Sequence, residues 1–235
     1  MRAVFCARGG YGTLRILDRL TLPDDLQRPS RSAHFAKPLI GFSDITALHQ
    51  WHQRNGLISV HGPVLTQLGR LPAPTHARLF ALLESTSPPP PLPGTVTFVG
   101  GAAEGPLLGG NLSVLTRLLG TAFMPPLEGA ILLLEDVAER PYKLDRMWTH
   151  LRLAGVFHKV RGIALGSFTL CEEPDADYTS EEVLRELAVA TGLPCAAGFP
   201  IGHGEVNEPV PLGARVRLDA TQRTLTFLES AVSEQ

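Results

Sequence analysis

Four consecutive prolines at 88–91, set inside "STSPPPPLPGT" (85–95), constrain this chain more than any other feature. Proline has no backbone donor and a fixed φ, so the run cannot continue a helix or sit inside a sheet. It must be stiff and extended, and we read it as an interdomain linker. It divides the 235 residues into an N-terminal unit, 1–84, and a C-terminal unit, 96–235. With 44% hydrophobic residues the chain can bury a real core, as one large domain or two small ones, and it carries no internal repeat.

Ahead of the prolines, strand-like and helix-like segments alternate. "RAVFCA" (2–7), "KPLIGF" (37–42) and "LISV" (57–60) read as strands, with helical patterns near 12–20, 44–54 and 74–84. Such alternation favours a largely parallel sheet. Beyond the prolines we expect strands near 95–100, 129–134, 160–168, 194–199 and 213–228, and helices near 110–119, 142–153 and 180–191. The fold class is therefore α/β: a parallel-sheet first domain followed by an α+β, barrel-like C-terminal domain.

Charge and cysteine usage exclude several functions. The formal net charge is −2 with no long basic run, which favours neither a nucleic acid nor a membrane surface as partner. A small molecule or peptide is the better partner class. Cys6, Cys171 and Cys195 lie far apart without CxxC spacing, so neither a zinc site nor a disulfide framework is expected, only thiols buried in a reducing cytoplasm. No stretch approaches the roughly 20 apolar residues of a membrane span, and the first residues lack signal-peptide order. A soluble cytoplasmic protein is the expectation.

The chemistry concentrates at strand ends. In "LIGFSDITALH" (39–49) a glycine two residues before Ser43 lets the strand turn sharply into a helix, displaying the hydroxyl as a nucleophile elbow does. The fifth position of the usual G-x-S-x-G is here Ile45, and Ser43 read alone is also an ordinary helix N-cap. A serine nucleophile needs a base and a carboxylate to orient it. The apolar strand "ILLLEDV" (131–137) ends in Glu135 and Asp136, at the rim of a sheet. "GFPIGHGEVN" (198–207) holds His203 between two glycines, where backbone bends freely and another segment can approach closely. Two other readings are weaker. "ARGGYG" could cradle a phosphate, but the full glycine motif and a Walker lysine are missing. His49 and His52 have a metal-site spacing with nothing to complete it, so solvated helix histidines are expected and no metal is assigned.

Together, "CARGGYG" (6–12), "LIGFSDITALH" (39–49), "HGP" (61–63), "GGNL" (109–112), "LLLEDVAERPYKLDRM" (132–147) and "GFPIGHGEVNEPVPLG" (198–213) resemble the murein LD-carboxypeptidase family of serine peptidases, which includes the microcin-C immunity peptidases. The resemblance spans essentially the whole chain. It implies a triad of Ser43 as nucleophile, His203 as general base and then acid, and Glu135 orienting the imidazole. It also implies an oxyanion hole built from the backbone N–H of Asp44 and a donor of the "RGGYG" loop, at Gly10 or Gly9.

By the same resemblance the substrate is a muropeptide tetrapeptide that loses its terminal D-alanine during peptidoglycan recycling. No cofactor is needed, and a homodimer is expected. Asn111 and Arg8 become candidate substrate contacts. Lys143 stands where an arginine is expected, which affects an ion pair or dimer contact more than the chemistry. Family members usually carry a further N-terminal segment before the "CARGG" motif, so the first domain is expected to be a truncated form with an exposed sheet edge. Alternatives from the same motifs are a peptidyl-nucleotide hydrolase of the microcin-immunity kind, a non-catalytic muropeptide-binding module, and an inactive truncated paralogue.

Overall fold

The computed structural model describes residues 3–21 and 37–232. Strands β1 (Val4–Phe5), β2 (Leu39–Gly41) and β3 (Ser59–His61) run parallel, with a 3-10 turn (Ser43–Ile45) and helix α1 (Thr46–Arg54) after β2 and helix α2 (Ala73–Glu84) after β3. The alternation expected from sequence is present, although each strand is shorter than its apolar run. Ile40 and Val60 pack against Leu79, Leu82 and Leu83 of α2. On α1, Ala47 packs with Leu17 and Leu118.

The second half supplies β4 (Leu92–Pro93), β5 (Val96–Val99), β6 (Ala102–Asn111), α3 (Leu112–Thr116), β7 (Ile131–Val137), α4 (Pro141–Leu153), β8 (Gly162–Thr169), α5 (Ser180–Thr191), β9 (Cys195–Ala197), β10 (Val210–Leu212), β11 (Arg215–Asp219) and β12 (Thr224–Phe227). All but β10 form an eight-stranded sheet in the order β4-β12-β11-β6-β7-β8-β9-β5. Its centre, β6-β7-β8-β9, is parallel, and its flanks are antiparallel. This is a mixed α/β fold with a parallel sheet and a second sheet curled towards a half-barrel. Helix α5 starts where "TSEE" dictates: Thr179 accepts from Glu182 N–H while the Glu182 carboxylate accepts from Thr179 N–H.

Two departures from the sequence reading matter for the site. Strand β6, ten residues long, covers 102–111, where no strand was expected and a helix only from about 110; three glycines and Pro106 in "AAEGPLLGGN" hide its β character, and the helix shrinks to α3. The proline-rich segment belongs to no helix, and its end is more than a connector. Leu92 is buried, and Leu92–Pro93 pairs with Leu225 and Thr224 as an edge strand, where a proline is tolerated.

The two sheets also exchange chain. Strand β10 comes from beyond the prolines but pairs antiparallel with β3, joining the four-stranded sheet. The loop from β9 to β10 therefore runs from one sheet to the other, and His203 lies on it. Side chains strengthen the seam: Gln50 Nε2 donates to Gly109 O at 2.8 Å, and Asn111 N–H donates to Thr46 Oγ1 at 3.0 Å. Cys171 and Cys195 are buried, and burial pushes their thiols up to about 11 and about 12; Cys6 is only half-buried. Among the described residues no helix is long and apolar enough to cross a membrane.

Candidate active site

Ser43 follows β2 at the sheet's carboxyl edge, the position where open α/β sheets place their ligands. Its φ is +65°, the left-handed region that a non-glycine residue occupies at a cost of about 1–3 kcal/mol. That strain is the elbow inferred from the sequence, and it turns the hydroxyl away from an N-cap role. A Cβ on Gly41 would lie 3.0 Å from two carbons of Ile45, so the glycine makes room for the isoleucine that replaces the motif's last glycine.

The surroundings of the elbow are fixed from both sides. Asp44 is buried, and its Oδ2 accepts from Thr13 N–H at 2.9 Å and Thr13 Oγ1 at 2.5 Å. This ties the "RGGYG" loop to the turn. Gly9 is pressed against Ser43: a Cβ there would lie 3.1 Å from Ser43 Cβ and 3.4 Å from its Oγ. No backbone bond of the described turns and loops uses the N–H of Gly9, Gly10 or Asp44. His49 is fully buried, contrary to the solvated helix histidine expected. Its Nε2–H donates to Gly41 O and its Nδ1 accepts from Ser59 Oγ, both at 2.8 Å. Burial holds it neutral, with a pKa lowered to about 3. His52 bonds the Leu48 carbonyl of its own helix.

Glu135 lies near the end of β7, fully buried, and its Oε2 accepts from His203 Nδ1–H at 2.6 Å. A carboxylate on Nδ1 places the proton there and leaves the Nε2 lone pair of His203 free. Burial pushes the Glu135 carboxyl up, but the bond from His203 and the nearby His61 outweigh it and hold the pKa down at about 2. The loop is shaped for this contact. Gly202 has φ +109°, and a Cβ there would come within 2.4 Å of Glu135 Oε2. Asn207 Oδ1 accepts from Gly202 N–H, and Ser167 N–H donates to Ile201 O, so the two residues before His203 are pinned.

Ser43 and His203 face one cavity of about 360 Å³, lined also by Arg8, Gly9, Gly10, Phe42 and Gln67. Arg8 is exposed and makes no ion pair with a described residue. Among the described residues no hydrogen bond reaches Ser43 Oγ, and Phe42 stacks on His203 at 4.7 Å between ring centres. Asn111 stands apart from the others. It is buried, its Oδ1 caps α3 through Val114 N–H and its Nδ2 donates to Asp136, so this side chain is committed to structure and not to the cavity. Lys143 pairs with Glu139 one helical turn away, at 3.0 Å. A larger cavity, about 580 Å³, lies between α2 and the prolines, and contains none of the residues expected to react. The sequence reading missed the bracing roles of Asp44 and His49 and gave His61 no role. The apolar neighbours of His49 and its i+3 relation to His52 were a signal for burial as much as for metal.

Comparison with known proteins gives concordant results. The model of the LD-carboxypeptidase N-terminal domain matches residues 1–62, and that of the LD-carboxypeptidase C-terminal domain matches 104–218. A Synechocystis sp. protein named as a carboxypeptidase is 42% identical over 97% of this chain and 73% of its own length. The murein tetrapeptide carboxypeptidase of Pseudomonas aeruginosa is 36% identical over 94% and 73%. The crystal structure of muramoyltetrapeptide carboxypeptidase from Oxalobacter formigenes superposes with a TM-score of 0.82 at 29% identity, covering 97% of this chain and 78% of that one.

Proposed function

The chain belongs to the LD-carboxypeptidase family, and from that premise we propose that it is a serine-type carboxypeptidase removing the terminal D-alanine of muropeptide tetrapeptides through Ser43, His203 and Glu135. The observation that carries the reading is the buried 2.6 Å bond from His203 to Glu135, beside a strained serine in one cavity. A binding module has no use for that set, because a left-handed serine costs stability and a carboxylate-oriented imidazole serves proton transfer, neither improving recognition.

In this mechanism His203 Nε2 takes the Ser43 proton as Oγ attacks the carbonyl of the L-centre preceding D-alanine. Substrate binding brings Oγ and Nε2 together. The resulting oxyanion is met by the Asp44 N–H and by Gly10 or Gly9 N–H, each worth about 10²- to 10³-fold in rate. The imidazolium, stabilised by Glu135, then protonates the departing amine as the C–N bond breaks, and D-alanine leaves. Water attacks the acyl-enzyme, its proton passing to His203 and then back to Ser43. Arg8, an exposed cation at the cavity, is suited to the free carboxylate of the terminal residue.

The test is D-alanine release from a purified tetrapeptide, with a peptidyl-nucleotide as competing substrate and with Ser43→Ala and His203→Ala alongside. We expect wild-type turnover on the muropeptide and losses on the order of 10⁶-fold in both variants. Wild type as silent as the variants overturns the reading, and preference for the nucleotide conjugate transfers it to the microcin-immunity branch.

A further inference from the structure

We propose that His61 is a positioning residue for the catalytic carboxylate, its Nε2–H providing Glu135 Oε1 with a second imidazole donor opposite the one His203 gives to Oε2. The inference rests on the triad reading above. Its basis is a set of three polar atoms that nothing else satisfies. Among the described residues His61 Nδ1, His61 Nε2 and Glu135 Oε1 are all buried without a hydrogen-bond partner, and both side chains are fully shielded from solvent. Buried polar groups are rarely left so, and a carboxylate oxygen is among the costliest to strand.

The geometry pairs two of the three. His61 Nε2 lies 3.9 Å from Glu135 Oε1, just beyond hydrogen-bonding distance. A small pivot of the ring closes it. Other claims on the atoms are absent or already met. His49, whose ring centre is 6.2 Å from that of His61, has both nitrogens engaged by Gly41 and Ser59. Asp136, the next acid along β7, is bound by Asn111, Ser113 and Val137. The groups facing Glu135 are thus His203 from the β9–β10 loop and His61 from β3, with Asp136 behind and the neutral His49 beyond.

His61 is well held for the task. It is the last residue of β3, in register with Gly41 of β2 on one side and Val210 of β10 on the other, and the Phe42 ring meets it edge-on at 5.9 Å. Phe42 also packs against His203, so one aromatic ring contacts both imidazoles while His203 still lines the cavity. The consequence is a two-donor cradle. Glu135 keeps its charge and orientation while His203 gains and loses a proton, because one of its two donors never takes part in the reaction.

The experiment combines a spectroscopic readout with kinetics on the full chain. In histidine-labelled wild type we expect two downfield, carboxylate-bonded imidazole N–H resonances. His61→Phe should remove one, lower kcat about 10- to 100-fold with KM within about threefold, and move the acid limb of kcat/KM to higher pH. His61→Gln, which can still donate, should restore most of the rate. A wild-type spectrum with a single such resonance overturns the proposal even if His61→Phe fails to fold. So does an active His61→Phe with an unchanged pH profile. If wild type releases no D-alanine while both resonances are present and His61→Phe loses one, the carboxypeptidase reading fails and the positioning role stands.

Discussion

Glu135 and Asp136 are neighbours on one strand, equally buried, and they are driven in opposite directions. Strand alternation separates them. Ile131 and Leu133 face the core shared with Phe199 and Ile201, so Glu135 meets the loop that bears His203; Leu132 and Leu134 face the helical side with Leu112 and Leu115, so Asp136 meets the start of α3. Glu135 finds imidazoles and is held at about 2. Asp136 finds amides: Asn111 Nδ2 at 3.0 Å, Ser113 N–H at 2.8 Å and Val137 N–H at 2.8 Å. Burial and the charge of Glu135 outweigh those bonds and raise it to about 6. Burial does not by itself decide the charge of an acid; the partner does.

The sharpest break of this comparison is in turnover. Glu135→Gln keeps the side chain's size but loses the charge that stabilises the imidazolium and fixes its tautomer, and should lower kcat about 10⁴-fold with KM little changed. Asp136→Asn, one residue along, should stay within about tenfold of wild type. Equal losses in steady-state assays of the two would mean that both acids serve the reaction. A smaller effect tests the contact itself. Gly202→Ala places a Cβ 2.4 Å from Glu135 Oε2 on a backbone with φ +109°, so the His203 loop must retreat. An ångström of displacement should cost on the order of 10²-fold in kcat, while Gly10→Ala, with nothing within 4 Å of its Cβ, strains only its own φ of +114° and should perturb the His203–Glu135 bond less.

The split between the two acids also marks what could be read from the sequence. "ILLLEDV" announced a buried strand with carboxylates at its rim, and the turn at Ser43 announced an elbow, because both are local patterns. Which acid faced His203 was fixed by register with β6 and β8, and strand β6 was itself hidden by Gly105, Gly109, Gly110 and Pro106. His49 read as a solvated helix histidine and His61 only as part of the "HGP" motif, because their roles depend on segments that meet only through sheet pairing: β2 with β3, and β3 with β10. Asn111 shows the reverse case. Its motif suggested a substrate contact, but the helix that begins one residue later takes its side chain as a cap.

On the structural side of β7 the expected loss is one of stability. Asp136→Ala leaves the Asn111 amide, Ser113 N–H and Val137 N–H without their acceptor in a buried place, and should cost about 2–4 kcal/mol in urea unfolding with the slope unchanged. A loss below about 1 kcal/mol would show that the amide cluster does not hold α3.

The smallest and most discriminating effect is the pH dependence of unfolding, because the two acids contribute with opposite sign. Glu135 is depressed from 4.5 to about 2, so its contribution is fully present above 4.5 and is lost as pH falls through the folded value. Asp136 is raised from 3.8 to about 6, so the folded state takes up its proton first, and stability increases as pH falls from above 6 towards 4. Each contributes about 3 kcal/mol at most. His49, held neutral by burial with a pKa of about 3, loses stability over the same mild-acid range and offsets the gain from Asp136, so wild type should change little on mild acidification and lose stability steeply below about pH 4. Asp136→Asn should make stability fall on mild acidification and leave the loss below pH 4 unchanged; Glu135→Gln should leave the mild-acid range unchanged and flatten the loss below pH 4. If Asp136→Asn leaves the mild-acid range unchanged, the three amide donors hold Asp136 ionised against its burial, and the two faces of β7 differ in chemistry but not in charge.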